Sequence, residues 1–281
     1  MSEFPDKPLL DKLATFGDPR KTWRWAEGDP DYVSALVLQP QHVPALIEIA
    51  RQWVTREDWP EDEADLSIYA PIHAWRALAQ LRASEAIGPL LDMLGKMDER
   101  GDGWHLEEFP DAFALIGPEA IGPLASYLAD AGHGTYARIC AGHSLQRIAE
   151  DHPDTREQVV GLLTGSLAQH EENEAELNAF LIAYLLDLKA TESAEAIERA
   201  YAAGNVDERI CGGWHKVRVG LGVPGLGLVK EPEAPSSRGP AMPPLIQTMP
   251  PSIQTDHRLK NRLREQRKRQ RKAKKQNRKR R

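Results

Sequence analysis

The residues able to do chemistry are thinly scattered over most of this chain and dense at its end. His73, His105, Glu107, Glu108, His143 and His152 recur at intervals, and in WHLEEF the pair His105 and Glu108 stands at i, i+3. On a helix that spacing lets an imidazole and a carboxylate share a cation, but one pair does not make a metal site. The one His-Glu dipeptide, His170-Glu171, is unpaired, so no metal is expected. Cys140, His143 and Ser144 have the look of a nucleophile beside its base. Cys140 falls on an apolar stripe, however, where a buried thiol is ordinary. Gly220-Leu-Gly-Val-Pro-Gly225 spells the letters of a dinucleotide loop. A helical segment precedes it and GLVKEPEAP follows, so no helix N-terminus is there to hold a pyrophosphate and no cofactor is expected. No catalytic residue is assigned.

The dense set is basic. Arg258, Lys260, Arg262, Arg264, Arg267, Lys268, Arg269, Arg271, Lys272, Lys274, Lys275, Arg278, Lys279, Arg280 and Arg281 stand against only Asp256 and Glu265, a net of +13. Such a run neutralises phosphates with point charges and guanidinium forks, and it lacks the aromatics that would stack bases. Nucleic acid is the expected partner of residues 256–281, RNA or the ribosome ahead of DNA, read without sequence specificity. A solubilising arm or a receptor-read targeting signal is the alternative. Two leucines cannot bury enough surface to fold this tail alone, so it is expected to be disordered.

The chain carries −6 in all, so residues 1–255 carry −19. Acids cluster at Glu57, Asp58, Glu61, Asp62, Glu63 and Asp65, and again at Glu171, Glu172, Glu174 and Glu176. These runs read as solvated faces, with a surface for a basic protein partner, or for the chain's own tail, as the alternative. Trp59 and Trp104, beside acidic stretches, are candidate partner anchors; the other tryptophans read as core or capping residues. Two cysteines in 281 residues exclude a disulfide scaffold and suggest a reducing compartment. No apolar run has signal-peptide or transmembrane length, so a cytoplasmic setting (nuclear in a eukaryote) and no membrane are expected.

Internal repetition supplies the scaffold. EAIGPL occurs at Glu85–Leu90 and identically at Glu119–Leu124, 34 residues on. Weaker echoes begin at Gln41 (QHVPALIEIA), Glu157 (EQVVGLL) and Glu195 (EAIERAY), which makes five units spaced 34–44 residues apart. The helices entering the units echo too, as in LAQLRASEA from Leu78 and LLDLKATES from Leu185. Ala137, Cys140, Ala141, Leu145 and Ile148 give one apolar stripe at i, i+3, i+4 spacing. His152-Pro153 then breaks the chain, and Asp154 with Glu157 reads as a capping box. Thr191 reads as a cap in the fifth unit. No stretch alternates with period two, so strands are not expected.

With the EAIGPL units following Ala/Leu-rich helices, residues 31–220 resemble the PBS-lyase-type HEAT-like repeats. The resemblance implies an all-α fold, a HEAT-like α-solenoid of about five helix pairs. On function it is weak, because such repeats occur in lyases, in deoxyhypusine hydroxylase and in many adaptors. It implies a non-enzymatic scaffold holding a protein partner, or alternatively a lyase or metal-dependent hydroxylase with a site on the concave face. The expected domains are an N-terminal cap (1–30), the repeats (31–221, with a capping helix near Asp207–Leu221), a Pro-rich disordered linker (222–255) and the basic tail (256–281). Within the linker, MPPLIQT (242–248) is followed at once by MPPSIQT (249–255), differing at one position.

Overall fold

The computed structural model describes residues 7–22, 24–57, 65–224 and 229, and in these the chain is all-α. In order, α1 is Lys7–Ala14, α2 Tyr32–Leu36, α3 Val43–Thr55, α4 Ala70–Gln80, α5 Ile87–Glu99, α6 Trp104–Ile116 and α7 Ile121–Ala129. Then come α8 Thr135–Asp151, α9 Arg156–Leu167, α10 Ala175–Asp187, α11 Ala194–Ala202, α12 Glu208–Cys211 and α13 Trp214–Leu221. The Pro-rich heptads, Trp59 and the basic tail lie outside the described residues, as do most of the linker and of the first acidic run.

The same local grammar recurs from α2 to α11. A first helix ends, the chain turns, one 3₁₀ turn follows, and a second helix begins at once. The 3₁₀ turns are Pro40–His42, Ser84–Ala86, Pro118–Ala120, Pro153–Thr155 and Thr191–Ser193, just ahead of α3, α5, α7, α9 and α11. Three of the first helices close with the same motif. Val37, Arg82 and Lys189 adopt left-handed backbone at φ 52°, 53° and 52°. The amides of Leu38, Ala83 and Ala190 then reach back to the carbonyls of Val33, Leu78 and Leu185. That is a Schellman closure, which satisfies carbonyls a helix end would otherwise orphan. The echo between LAQLRA and LLDLKA is thus the signature of a shared helix end. Pro89 and Pro123 each fall at the third position of α5 and α7, where the missing N–H has no helical partner to lose.

Two details of the sequence reading change. The 3₁₀ turns set the repeat register, which equates Glu85 and Glu119 with Asp154 and Glu192, three residues before the Glu157 and Glu195 chosen by similarity. The capping box at Asp154 does not form either. Asp154 lies inside the 3₁₀ turn, Thr155 precedes α9, and no side chain caps that helix. Thr191 likewise opens a 3₁₀ turn and caps nothing.

The helices pack in two rows. α4, α6, α8 and α10 lie side by side in chain order, and so do α3, α5, α7, α9 and α11. Between the rows α3 packs on α4, α5 on α6, α7 on α8, and α9 on both α8 and α10. The stripe expected on α8 is buried throughout: Ala137, Cys140, Ala141, Leu145 and Ile148. α8 also buries Ile139, Ser144, Gln146 and Ala149, because it has neighbours on nearly every side. An edge-to-face chain of rings runs Trp53–Trp75–Phe109–Phe113 across α3, α4 and α6, at centroid distances of 6.0, 5.4 and 6.1 Å. Each fully buried ring contributes about 2–3 kcal/mol by leaving water.

The ends are closed differently. At the start, the largely irregular segment from Gly17 to Asp31 is tied down by one polar face of α4. His73, Arg76 and Gln80, at i, i+3, i+7, take up its backbone groups: His73 Nε2–H donates to Gly17 O and Arg76 to Pro19 O and Thr22 O. Gln80 donates to Trp25 O and Pro30 O and accepts from the Tyr32 amide. At the other end two helices, α12 and α13, stand where one capping helix was expected, separated by Gly212-Gly213. α12 packs on α10, and α13 on α10 and α11. No single helix among the described residues is long and apolar enough to cross a membrane.

Candidate functional site

Most residues singled out for metal or nucleophilic chemistry have structural employment. Glu108, buried on α6, accepts from Arg76 Nε at 2.7 Å, Arg76 Nη2 at 2.6 Å and Trp75 Nε1 at 3.3 Å, so its oxygens are filled. His73 is buried between Tyr32 and Gly17, its Nδ1 accepting from the Tyr32 hydroxyl at 2.7 Å. Burial holds its pKa down at about 4, a neutral imidazole. His152 donates to Ala114 O at 3.2 Å, joining α8 to the last turn of α6. His170 lies in the turn after α9. His105 is buried with both ring nitrogens lacking a partner, and burial depresses it to about 4. Among the described residues no three His, Cys, Asp or Glu side chains converge to hold a metal ion. Cys140 is fully buried, donates its thiol to His105 O, and burial pushes its pKa up, so it is an unreactive core residue. Gly220 sits inside α13, so the helical segment expected at the start of the glycine-rich stretch is present.

The acidic runs are divided. Asp65 caps a 3₁₀ turn through the Ser67 amide, and Glu57, Glu171 and Glu172 are exposed. Glu174 lies 3.6 Å from Arg138, and Glu176 accepts from Tyr136 Oη at 2.8 Å. Trp104 is half-buried, edge-on to Trp53, which makes it a packing residue more than a free anchor.

Sequence reading missed a denser anionic strip along the first row. Arg147 on α8 is its hub: Nε donates to Asp111 of α6 at 3.1 Å, Nη1 to Glu150 at 2.5 Å, and Nη2 lies 3.8 Å from Asp151. Asp187 on α10 adds a fourth carboxylate. Burial and then Glu150 raise its pKa to about 6, so part of the strip titrates near neutrality. His143 stacks flat on Tyr184 beside it, ring centroids 5.3 Å apart, and burial with the Arg147 guanidinium holds it at about 4. Three carboxylates around one guanidinium, with Asp187 near Glu150, leave an excess of negative charge suited to a cationic surface. No local signal marks it, because Asp111, Arg147 and Asp187 are brought together by three successive first-row helices, 36 and 40 residues apart.

A second missed cluster is neutral. The buried Asn173 and Asn178 and the half-buried Asn205 form a ladder: Asn173 donates to Ser166 O and Asn178 Oδ1, Asn178 to His170 O and Asn205 O, and Asn205 to His170 O and Asn173 O. It satisfies carbonyls of two inter-helix loops at the end of the rows.

Comparison with family models, with curated proteins and with solved structures returns no match for this chain.

Proposed function

We propose that the helical body is a HEAT-like α-solenoid acting as a non-enzymatic adaptor in the cytoplasm. It holds a protein partner, while residues 256–281 attach the complex to RNA, most readily ribosomal RNA, without sequence specificity. What carries the reading is the partition of charge: −19 over residues 1–255 and +13 over the last 26. A body so anionic repels nucleic acid, whereas a segment with 15 cations and no aromatic side chain binds it through phosphates. The recurring unit of first helix, turn, 3₁₀ turn and second helix, stacked in two rows, supports the solenoid. The employment of His73, Glu108, Cys140 and His152 in packing and capping weakens the enzyme alternative.

The test is purification of the full chain and of a variant lacking residues 256–281, with RNA content read by absorbance and nuclease sensitivity. RNA should accompany the full chain and be lost with the tail. RNA retained by the truncated chain would overturn the assignment, as would a catalytic activity that survives truncation.

A further inference from the structure

We propose that Tyr127 and Asp98, in the second row between α5 and the turn joining α7 to α8, receive the cationic side chain of a protein partner. This rests on the adaptor reading and gives its protein-binding face a place and a chemistry.

Tyr127 carries the first observation. Only 8% of the residue is exposed, yet its hydroxyl has no hydrogen-bond partner. That hydroxyl stands over Gly95 of α5, 3.1 Å from where a β-carbon would lie, so any other residue there would crowd the spot. The ring is held by His133, stacked flat upon it with centroids 3.6 Å apart.

Asp98 carries the second. It lies one turn beyond Gly95 on α5, half-buried, and packs so closely on Gly134 that a β-carbon there would meet its carboxylate at 1.9 Å. Among the described residues no lysine, arginine or histidine pairs with it, and its charge is met by the Ala137 amide in the first turn of α8. Burial raises its pKa, and Asp92 and Asp130 add negative charge around Tyr127.

A buried hydroxyl without a partner and a half-buried carboxylate without a counter-ion are both unfavourable, and one ligand relieves both. An alkylammonium or guanidinium supplies N–H donors to the two oxygens and positive charge to the carboxylate. An anion would be repelled, and an apolar group would leave both oxygens unsatisfied. A metal ion is a poorer fit, since no three ligating side chains converge here.

The experiment uses the full chain, ¹⁵N-labelled, titrated at physiological salt with capped Gly-Lys-Gly and Gly-Arg-Gly peptides and with Gly-Gly-Gly as control. Saturable shifts of the Gly95 and Gly134 amides are expected with a basic peptide and not with the control. Binding should weaken about tenfold in Asp98→Asn and in Tyr127→Phe, which keeps the ring and so tests the site even where the aspartate variant fails to fold. Glu157→Gln, an exposed change on α9, should leave it unaltered. Absence of saturable shifts at the two glycines would overturn the proposal, as would equal loss in Glu157→Gln, the mark of diffuse attraction. Neither result alters RNA retention by the tail, so this site and the adaptor reading fail separately.

Discussion

Arg76 and Glu108 meet across the interface of α4 and α6, Nε to Oε2 at 2.7 Å and Nη2 to Oε1 at 2.6 Å, both side chains buried. The rest of the guanidinium is also used, on Thr22 O, Thr22 Oγ1 and Pro19 O, and it lies 5.3 Å from the centre of the Trp25 ring. One arginine therefore joins two first-row helices and fastens the N-terminal segment to both.

Removing one partner of a buried, hydrogen-bonded ion pair leaves the other charge uncompensated, at a cost of about 3–5 kcal/mol. Arg76→Ala and Glu108→Ala are each expected to fall in that range in urea unfolding. Arg76→Met with Glu108→Leu should recover part of the loss. The arginine variants should also make residues 17–31 the first site of limited proteolysis, whereas Glu108→Ala should do so less. Equal stability of the single variants and wild type would contradict this.

Buried histidines set an acid limit. His73 and His105 sit at about 4 in the fold against 6.5 in the unfolded chain, so between those values the unfolded state binds more protons. Their stabilising effect is complete above pH 6.5 and is lost as pH falls toward 4, at about 1.4 kcal/mol per pH unit for each. Asp187 has the opposite sign. Its pKa is raised from 3.8 to about 6, so its ionised form opposes folding at neutral pH and that opposition fades on acidification. Urea midpoints at pH 7.5, 6.0 and 5.0 should fall for wild type and fall less for His73→Gln or His105→Gln. Asp187→Asn should be more stable than wild type at pH 7.5, with the gain shrinking at pH 5.0.

Val37 closes α2 in the left-handed region at φ 52° and is 72% exposed, so a β-branched residue bears the strain with no packing to offset it. Val37→Gly should raise stability by about 1 kcal/mol and Val37→Asn by somewhat less, as read by thermal unfolding. A loss in both would show that Val37 contributes contacts that outweigh the strain.

Two glycines in helices should respond oppositely to alanine. A β-carbon on Gly142 of α8 would come 3.3 Å from the Tyr184 ring, whereas at Gly161 of α9 nothing lies within 4 Å. Gly161→Ala should stabilise by about 0.5–1 kcal/mol through helix propensity. Gly142→Ala should destabilise, and it should disturb the His143–Tyr184 stack, visible as altered tyrosine and histidine side-chain resonances.

What could be read from the sequence follows what is local. Apolar spacing is local, so the helices, their alternation and the all-α fold were legible from runs such as Ala137–Ile148. Pro89 and Pro123 fall in the first turns of α5 and α7, where proline's local constraint is tolerated. The register of the later units was not legible. It is fixed by 3₁₀ turns at Pro153–Thr155 and Thr191–Ser193, after which the helices begin REQVV and AEAI instead of IGPL, and similarity drifted to the acids one turn later. The Arg76–Glu108 pair, the Asp111–Arg147–Asp187 strip and the Asp98–Tyr127 neighbours join residues 29 to 40 apart, and nothing in the local pattern marks one charged residue as buried and another as solvated. Asn178 is the clearest case: it lies among the buried apolar residues of α10, but it serves as the centre of a hydrogen-bond ladder.

The adaptor reading is tested most directly by the salt dependence of RNA binding. Affinity of the full chain for an unstructured RNA oligonucleotide, measured by fluorescence anisotropy from 50 to 300 mM salt, should give a log–log slope of about −5, as expected when roughly half of the tail's 15 cations meet phosphates. The slope should not depend on base sequence, and binding should vanish without residues 256–281. A slope near zero, or tight binding that persists in the truncated chain, would contradict it.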